Sequence, residues 1–436
     1  MKVAIAGGGL AGLSAAWMLA EEGYEVHVYE SRQFPGGRAA SYAMPRNGGG
    51  KERLDNSQHI LLRCCSNLLD LYRRIGVDHL IDFYSDYTFL EPGGRSSTLK
   101  PGSLPAPLHM IGGFLKLKFL SLGDKLAIAR GMRAVQREYA RGPLLDSETM
   151  ESWLKRHGQT EGTIRGFWEP VLISAVNANL GEISAWQGIR LVHLGFLASD
   201  TNYQMGVPRV LLGDLHAAEH WTRKPNLHLH FGAAVTGFDH DARHLNAMNL
   251  AAGRVEADVY VSALPFPRLG ALLPALRTGM EGVAQSPIAG IHLRFDRKVT
   301  DLPHAALLGR TMQWFFSRED GHMLSLVVSA AHALETMKKE EVVALAVREM
   351  ADFLPDVSEA KLLDSWVIRE THATFVASPG FEAKRPGPRT EFSNLFLAGE
   401  WTNTGWPSTM EGAVISGYRA AEAICACNGQ HRRFVI

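Results

Sequence analysis

The sequence predicts an α/β fold with a large second domain inserted into it. At the start of the chain, a β-prone run (KVAIA, 2–6) is followed by a glycine-rich turn, a helical stretch over 13–22 and a second strand over 24–30. This is a βαβ-type unit of about 30 residues. The same alternation returns near the end, where an apolar strand (394–402) precedes a helix (411–426). Strands that alternate with helices are typical of α/β folds.

Composition excludes several classes of protein. Hydrophobic residues make up 46% and charged residues 21%, which is typical of a globular chain. The 45 basic and 45 acidic residues give no net charge, so the chain lacks the basic excess that favours nucleic acid as a partner. Its cysteines include no CxxC pair, which predicts reduced thiols and a cytoplasmic protein. The uncharged run over 3–20 contains four glycines, so a strand, a turn and a helix explain it better than a membrane span.

Between the two ends, the hydrophobic pattern predicts further elements. Helical spacing covers 60–74, 114–140, 147–157 and 338–353, whereas 91–113 is proline-rich and predicted to be loose. A loop that opens a helix is predicted over 205–220, and the strand-like stretches are 227–241, 255–264, 289–296 and 322–331.

A glycine motif follows the first strand. Gly7, Gly9 and Gly12 have GxGxxG spacing, which allows a tight turn, close approach of a pyrophosphate and close helix–strand packing. The helix N-terminus adds free N–H groups for the phosphates. Glu30 lies 18 residues after Gly12, where an acid binds a ribose hydroxyl. The motif predicts a dinucleotide site rather than an empty glycine-rich turn, and the further candidate contacts are Leu10, Ala11 and Ser31.

Two other segments suit the same ligand. Gly36-Gly37-Arg38 is a turn ending in a cation that can reach the pyrophosphate, although the segment taken alone favours a surface turn. In 395–421 a strand ends at Gly399, Glu400 follows, and a helix begins near Met410. The N-terminal amides of that helix suit the electron-rich edge of a flavin, and the unit is also compatible with simply completing the sheet.

Together, GGGLAGLSAA, GGR and AGEWTNTG…STMEGAVISG resemble the amine oxidase and phytoene desaturase superfamily of FAD-dependent oxidoreductases. The resemblance spans nearly the whole chain. It implies a Rossmann-like FAD-binding domain of the glutathione-reductase/amine-oxidase type, with one FAD held without a covalent bond. It implies that Glu30 binds the adenosine ribose, that Gly37 and Arg38 lie along the pyrophosphate, and that the backbone of Val235 meets the adenine. The residues implied near the ribityl chain and the flavin are Gly399, Glu400, Met410 and Glu411.

This resemblance divides the chain into two predicted domains. Residues 1–62, 206–279 and 386–436 form the FAD-binding domain. Residues 63–205 and 280–385 form an inserted α+β domain that holds the substrate and faces the membrane.

A closer resemblance lies in the middle of the chain. LDNSQHILLRCCSNLLDLYRRIG (54–76) resembles the DNGQH segment of the squalene-associated branch, the hydroxysqualene dehydroxylases, and so do 312–320, 326–334, 369–380 and 406–417. The chain departs from that branch at Ser57, which replaces a usual Gly, and at Glu400, which replaces a usual Asp.

The branch implies a reductive reaction on an isoprenoid. The hydroxyl of hydroxysqualene is removed to give squalene, and the synthases that act upstream in squalene formation are candidate partners. A carotenoid desaturase or an amine oxidase on the same scaffold stays an alternative, as does a non-enzymatic prenyl-protein escort. Because the sequence has no second GxGxxG unit, the electron donor stays open between NADPH, a separate reductase and a membrane carrier.

Four histidines require an interpretation. His59 and His372 lie in family-like segments and are candidate proton donors, although a structural role is favoured for each of them taken alone. His228 and His230 alternate along a strand and are interpreted as surface or adenine-side residues, so no metal site is predicted.

The segment 104–122 is apolar and rich in proline, with Lys116 and Lys118 near its end. It is too short and too broken to span a bilayer, and we expect it either to dip into one leaflet or to form a core helix. Aromatic residues of the inserted regions suit a long apolar tunnel or a plain core: Phe114, Phe119, Trp168, Trp314, Phe315 and Phe316.

Overall fold

A computed structural model describes residues 1–142 and 146–436. The strands of this part are β1 Lys2–Ala6, β2 Glu25–Tyr29, β3 Ser41–Pro45, β4 Lys51–Asp55, β5 Leu61–Leu62, β6 Ile81–Tyr84, β7 Tyr87–Leu90, β8 Ser96–Leu99, β9 Met205–Pro208, β10 Leu227–His230, β11 Val235–His240, β12 Leu245–Leu250, β13 Gly253–Val255, β14 Val259–Ser262, β15 Gln285–Phe295, β16 His304–Leu307, β17 Trp314–Arg318, β18 Met323–Ser329, β19 Leu362–Phe375 and β20 Leu395–Leu397. The helices are α1 Leu10–Glu21, α2 Ser66–Arg74, α3 Ile111–Leu115, α4 Leu122–Tyr139, α5 Met150–Arg156, α6 Glu161–Thr163, α7 Glu169–Val176, α8 Ala185–Val192, α9 Leu212–Leu215, α10 Ala218–Trp221, α11 Phe266–Leu272, α12 Lys339–Phe353 and α13 Met410–Cys427.

A five-stranded parallel sheet has the strand order β10-β2-β1-β14-β20. Successive side chains of a strand point to opposite faces. Val3 and Ile5 of β1 therefore pack against α1 and α13, whereas Ala4 and Ala6 face the antiparallel sheet β11-β12-β13. This layered arrangement confirms the predicted α/β fold.

Helix α1 begins earlier than the sequence pattern predicts. The prediction placed its start at residue 13, but the helix begins at Leu10 with Gly9 as its N-cap. A Cβ on Gly12 would lie 2.0 Å from the carbonyl oxygen of Gly7, so Gly12 lets the first helical turn pack directly on the end of β1. The glycines up to residue 12 are thus partly helical, and assigning them all to a turn was wrong.

A second, seven-stranded sheet has the order β19-β15-β18-β17-β16-β7-β8, and α12 packs on it. Strands β15 and β18 confirm the predicted strands at 289–296 and 322–331. The long strand β19 was not predicted, because charged residues interrupt its apolar pattern. These charges are paired in the fold: Asp364 accepts from the backbone N–H of Asn47 at 2.8 Å, and Glu370 accepts from the Tyr42 hydroxyl at 3.2 Å.

Three predicted stretches need correction where short strands form. The helical prediction over 60–74 holds only from Ser66, because β5 pairs with β9, which itself pairs with β6. The predicted loop over 205–220 therefore begins with strand β9. The stretch 91–113 contains β8 and the start of α3. Hydrophobic periodicity does not detect β5 and β6, since their partner β9 lies far away in the chain, and β8 is a four-residue strand that pairs with the neighbouring β7.

Helices α3 to α8 form a layer over a core that includes Trp153, Trp168 and Ile189. The helical prediction over 114–140 is interrupted between α3 and α4, where Ser121 and Asp124 form a capping box. Among the described residues, no helix combines the length and the apolar character needed to cross a membrane. The bounds of the two domains stay a prediction.

Candidate functional site

The glycine loop after β1 lies at the carboxyl end of the parallel sheet, where α/β folds bind their ligands. Gly7 has a φ of 105°, in the region that favours glycine. Its N–H donates to the carbonyl of Tyr29 at 2.8 Å, and the N–H of Gly36 donates to the carbonyl of Gly8 at 2.9 Å. The loop is thus joined to the second glycine motif.

Glu30 is buried at the end of β2 and turned toward this loop. Its Oε2 accepts from the Gly8 N–H at 2.7 Å, and its Oε1 accepts from the Arg32 N–H at 2.9 Å and from the Ser31 hydroxyl at 3.0 Å. These bonds fix the carboxylate beside the N-terminus of α1, where Leu10 and Ala11 begin the helix.

The motif at 36–38 meets the C-terminal motif. Arg38 Nη2 lies 2.5 Å from Oε1 of Glu400, and Arg38 Nη1 donates to the carbonyl of Ala373 at 2.9 Å. A Cβ on Gly37 would lie 2.9 Å from the Cα of Gly9, so the two glycine loops are in close backbone contact. Three segments far apart in the chain therefore converge at this point.

Arg385 holds the loop that carries Glu400, and sequence reasoning missed it. Its side chain is fully buried and donates to the carbonyls of Glu400 (2.6 Å), Thr402 (2.8 Å) and Trp406 (2.8 Å). Glu382 pairs with it at 2.8 Å. Burial lowers the pKa of Arg385. In the sequence nothing distinguishes this arginine from the others.

Hydrogen bonds fix the loop on both sides of Glu400. Gly399 has a φ of 146°, and its N–H donates to the Ser416 hydroxyl at 2.7 Å. Thr409 is the N-cap of α13, and its hydroxyl accepts from the N–H of Gly412 at 3.1 Å. Met410 therefore stands at the first turn of α13, as the sequence predicts.

Glu411 is a buried carboxylate that caps another helix. Its Oε1 accepts from the N–H and Nδ2 of Asn67, at 3.1 and 2.7 Å, and its Oε2 accepts from the N–H of Leu68 at 2.7 Å. Burial raises the pKa of Glu411 to about 6. The residue thus ties α13 to α2.

Three sequence-predicted residues lie elsewhere around this region. The carbonyl of Val235, at the start of β11, accepts from Arg268 at 3.1 Å. His59 lies in the segment after β4, with Nδ1 3.0 Å from the carbonyl oxygen of Ser57, and burial lowers its pKa. His372 is exposed on β19.

A cavity of about 570 Å³ opens beside the C-terminal motif. Met410 and Glu411 of the C-terminal motif line it together with Gln58 and Cys65, and most of the other lining residues are apolar. Of the aromatic residues singled out in the sequence, the four that line it are Phe114, Trp168, Trp314 and Phe316. Phe315 belongs to the core between the seven-stranded sheet and α12. Phe119 packs against Phe89, with the centroids of the two rings 5.3 Å apart.

These residues fit an FAD. Glycines line the approach to the α1 N-terminus, and Arg38 supplies a cation. The carboxylate of Glu30 is held in a position suited to binding a ribose hydroxyl. Asn56 adds an independent sign: its Nδ2 donates to the carbonyl of Arg38 at 2.7 Å, while its buried Oδ1 has no hydrogen-bond partner among residues 1–142 and 146–436. A buried polar atom without a partner is costly, so a bound ligand or water is expected there.

The comparisons with known proteins agree with this geometry. The chain matches the family described as flavin containing amine oxidoreductase over residues 10–425. The hydroxysqualene dehydroxylase of Rhodopseudomonas palustris is 28% identical over 97% of this chain and 98% of its own length. The probable zeta-carotene desaturase of Synechococcus elongatus is 27% identical over 97% of this chain and 98% of its own.

Solved structures show the same fold. A redesigned putrescine oxidase superimposes with a TM-score of 0.74 at 18% identity, covering 98% of this chain and 99% of that one. An oxidoreductase from Methanosarcina mazei gives a TM-score of 0.72 at 16% identity, covering 96% and 99%. With the family match over nearly its full length, the chain belongs to the flavin-containing amine oxidoreductases and is an FAD-dependent oxidoreductase.

Proposed function

We propose that this enzyme removes the hydroxyl of hydroxysqualene reductively to give squalene. The observation that carries the proposal is the predominantly apolar cavity, which Glu411 of the C-terminal motif also lines. Its volume of about 570 Å³ suits a small-molecule site. A hydrocarbon chain with one hydroxyl suits such a lining, because the isoprenoid units meet aromatic and aliphatic side chains while Glu411 is available to the hydroxyl.

The cavity favours an isoprenoid over an amine. Arg133 lines it, and a cation there disfavours a protonated amine. The carboxylate of Glu411 is already engaged by three N–H groups of α2, so it is poorly placed to pair with an ammonium group.

We assign proton delivery to Glu411 in preference to the two histidines. The carbonyl of Ser57 can only accept a hydrogen bond, so the Nδ1 of His59 carries the proton and donates it. Because burial lowers the pKa of His59, its Nε2 is left as a neutral acceptor rather than a donor. His372 is exposed on β19 rather than on the cavity wall. Glu411 lines the cavity and has a pKa of about 6, so part of its population carries a proton near neutral pH.

FAD supplies the two-electron hydride chemistry of the reaction when it is bound. The protein supplies the dry cavity that excludes water from the departing hydroxyl, and Arg38 with Glu400 fixes the loop beside it. We propose that the electrons come from NADPH or a separate reductase.

The route of substrate entry is proposed from an exposed apolar patch, which we call the apolar mouth. Its side chains are 44–76% exposed, and they are Leu104, Leu108, Ile111, Leu115, Leu122 and Leu126. Leu108 and Ile111 also line the cavity, so the patch and the cavity are continuous. The exposed Lys116 and Lys118 suit anionic headgroups. We propose that the apolar mouth enters one leaflet of a membrane and receives the lipophilic substrate there.

Vesicle flotation tests this entry route. We expect the protein to float with anionic vesicles and the double variant Ile111→Asp, Leu115→Asp to stay unbound. Leu363→Asp is the matched control, since Leu363 is 43% exposed on β19 and lies outside the patch. Equal flotation of both variants would remove the apolar mouth from the proposal.

Substrate turnover tests the reaction itself. The holoenzyme with a reductant is incubated with hydroxysqualene, and in parallel with phytoene plus a quinone. Squalene formed only in the first reaction supports the proposal. A desaturated carotenoid formed only in the second reaction would favour the desaturase alternative. The similarity of the chain to zeta-carotene desaturases supports that alternative.

A further inference from the structure

A cluster of histidines lies at the edge of the five-stranded sheet, away from the cavity. Glu25 and His27 are two residues apart on β2, so their side chains share one face. In the parallel pairing of β10 with β2, His228 stands directly beside His27. We propose that Glu25, His27 and His228 bind one divalent transition-metal ion of the class that prefers imidazole ligands, such as Zn²⁺ or Ni²⁺. The sequence does not reveal the strand pairing, and it led to the interpretation of His228 as a surface or adenine-side residue rather than a metal ligand.

The distances suit a shared ion. His228 Nε2 lies 2.6 Å and His27 Nε2 lies 3.7 Å from the same oxygen, Oε1 of Glu25. One ligand atom of each residue lies within 4.8 Å of the other two. Ligands about 2.0–2.1 Å from a tetrahedral ion stand roughly 3.3 Å apart, so small side-chain rotations bring these three atoms onto one ion. Water completes the coordination.

His230 orients one of the ligands. Its Nε2 lies 3.0 Å from Nδ1 of His27, and the two rings are stacked with centroids 5.3 Å apart. When the Nδ1–H of His27 donates to His230, the lone pair on its Nε2 points to the proposed ion. A hydrogen bond on the second ring nitrogen is the arrangement that fixes metal-binding histidines.

The local charges permit a cation. Lys2 pairs with Glu25 in the sheet and opposes a cation, while the carboxylate of Glu25 offsets that charge. The ion would join the edge strand β10 to β2 and thereby stabilise the folded protein.

Titration calorimetry of the metal-free holoenzyme, prepared without a polyhistidine tag, tests the site with NiCl₂ and separately with ZnCl₂. We expect one equivalent bound and a rise in Tm. His228→Ala and Glu25→Gln should each weaken binding about tenfold or more, and His230→Ala should weaken it about tenfold. His332→Ala is the matched control, because His332 is an exposed histidine 3.2 Å from Glu335 with no part in the cluster.

The results separate clearly. Binding at least about tenfold weaker in His228→Ala, with wild-type affinity in His332→Ala, supports the site. If neither metal binds, or if wild type and His228→Ala bind equally tightly, the site is overturned. Glu25, His228 and His332 lie outside the cavity lining and the FAD loops described above, so FAD content should stay unchanged in Glu25→Gln, His228→Ala and His332→Ala, which also shows that these variants are folded. Because the carbonyl of His230 accepts from the N–H of Glu30 at 2.9 Å, folding of His230→Ala is checked by its Tm without metal.

Discussion

Replacing Gly9 tests whether the glycine loop holds the cofactor or merely forms a turn. Gly9 has φ −77° and ψ 173°, which any residue adopts, and an added Cβ would meet only the Cα of Gly37, at 3.7 Å. That distance is an ordinary contact, so alanine fits the protein itself. We expect the unfolding free energy of the apoprotein to change by less than about 0.5 kcal/mol.

The cofactor is expected to respond very differently. The added methyl stands between the two glycine loops, where the pyrophosphate approaches the backbone. Forcing a methyl into a filled site costs about 1–3 kcal/mol, which corresponds to roughly a 5- to 150-fold weaker affinity for FAD. Gly9→Val adds two more carbons and should empty the site. Equilibrium dialysis followed by flavin absorbance measures both affinities.

Two other glycines provide the controls. Gly270→Ala places a methyl in open space on α11 and should keep full affinity. Gly12→Ala places its Cβ 2.0 Å from a backbone oxygen and should lower the stability of the protein itself. If Gly9→Val binds FAD as tightly as Gly270→Ala, the loop does not hold the pyrophosphate and the reasoning fails.

Three further predictions concern the helices and loop around the site. Since burial raises the pKa of Glu411 from 4.5 to about 6, the unfolding free energy should fall by about 2 kcal/mol in all as pH rises from well below 4.5 to well above 6, and Glu411→Gln should abolish this fall in urea titrations. Arg385→Met leaves buried carbonyls unpaired and should cost about 3–5 kcal/mol of unfolding free energy, with Arg385→Lys intermediate. Gly417→Ala would place its Cβ 2.0 Å from Ser14 Oγ and 2.4 Å from the Ala11 carbonyl, so calorimetry should show a lower Tm, and released flavin a lower FAD content. An unchanged Tm in Gly417→Ala would contradict the close packing of α1 on α13.

The FAD-side fold could be predicted because its signals are local. GxGxxG spacing and an acid after the second strand follow from what a pyrophosphate and a ribose require, and β1, β2 and α13 lie within one or two residues of their predicted bounds. Strand β5 has two residues and owes its existence to β9, about 145 residues away, so no window of sequence contains the cause.

The features of the site that the sequence did not reveal also depend on contacts between distant parts of the chain. Arg385 acts through carbonyl groups, which every residue carries, so its sequence neighbourhood gives no sign of its role. Glu411 was expected near the flavin, but its link to Asn67 and Leu68 depends on how α13 lies against α2. The cluster around His27 depends on a parallel pairing across roughly 200 residues.

The packing of α1 against α13 bears on how the protein is made. Helix α1 leaves the ribosome about 400 residues before α13, which is roughly 20–80 s at about 5–20 residues per second. During that interval α1, which is buried along nearly its whole length in the finished fold, has no partner helix to cover it. Arg38 likewise lacks its ion-pair partner until Glu400 has been synthesised. Until α13 has been made, the growing chain can therefore neither complete the flavin site nor bury α1, so the cofactor is taken up only after that point, and chaperones have a long window in which to act.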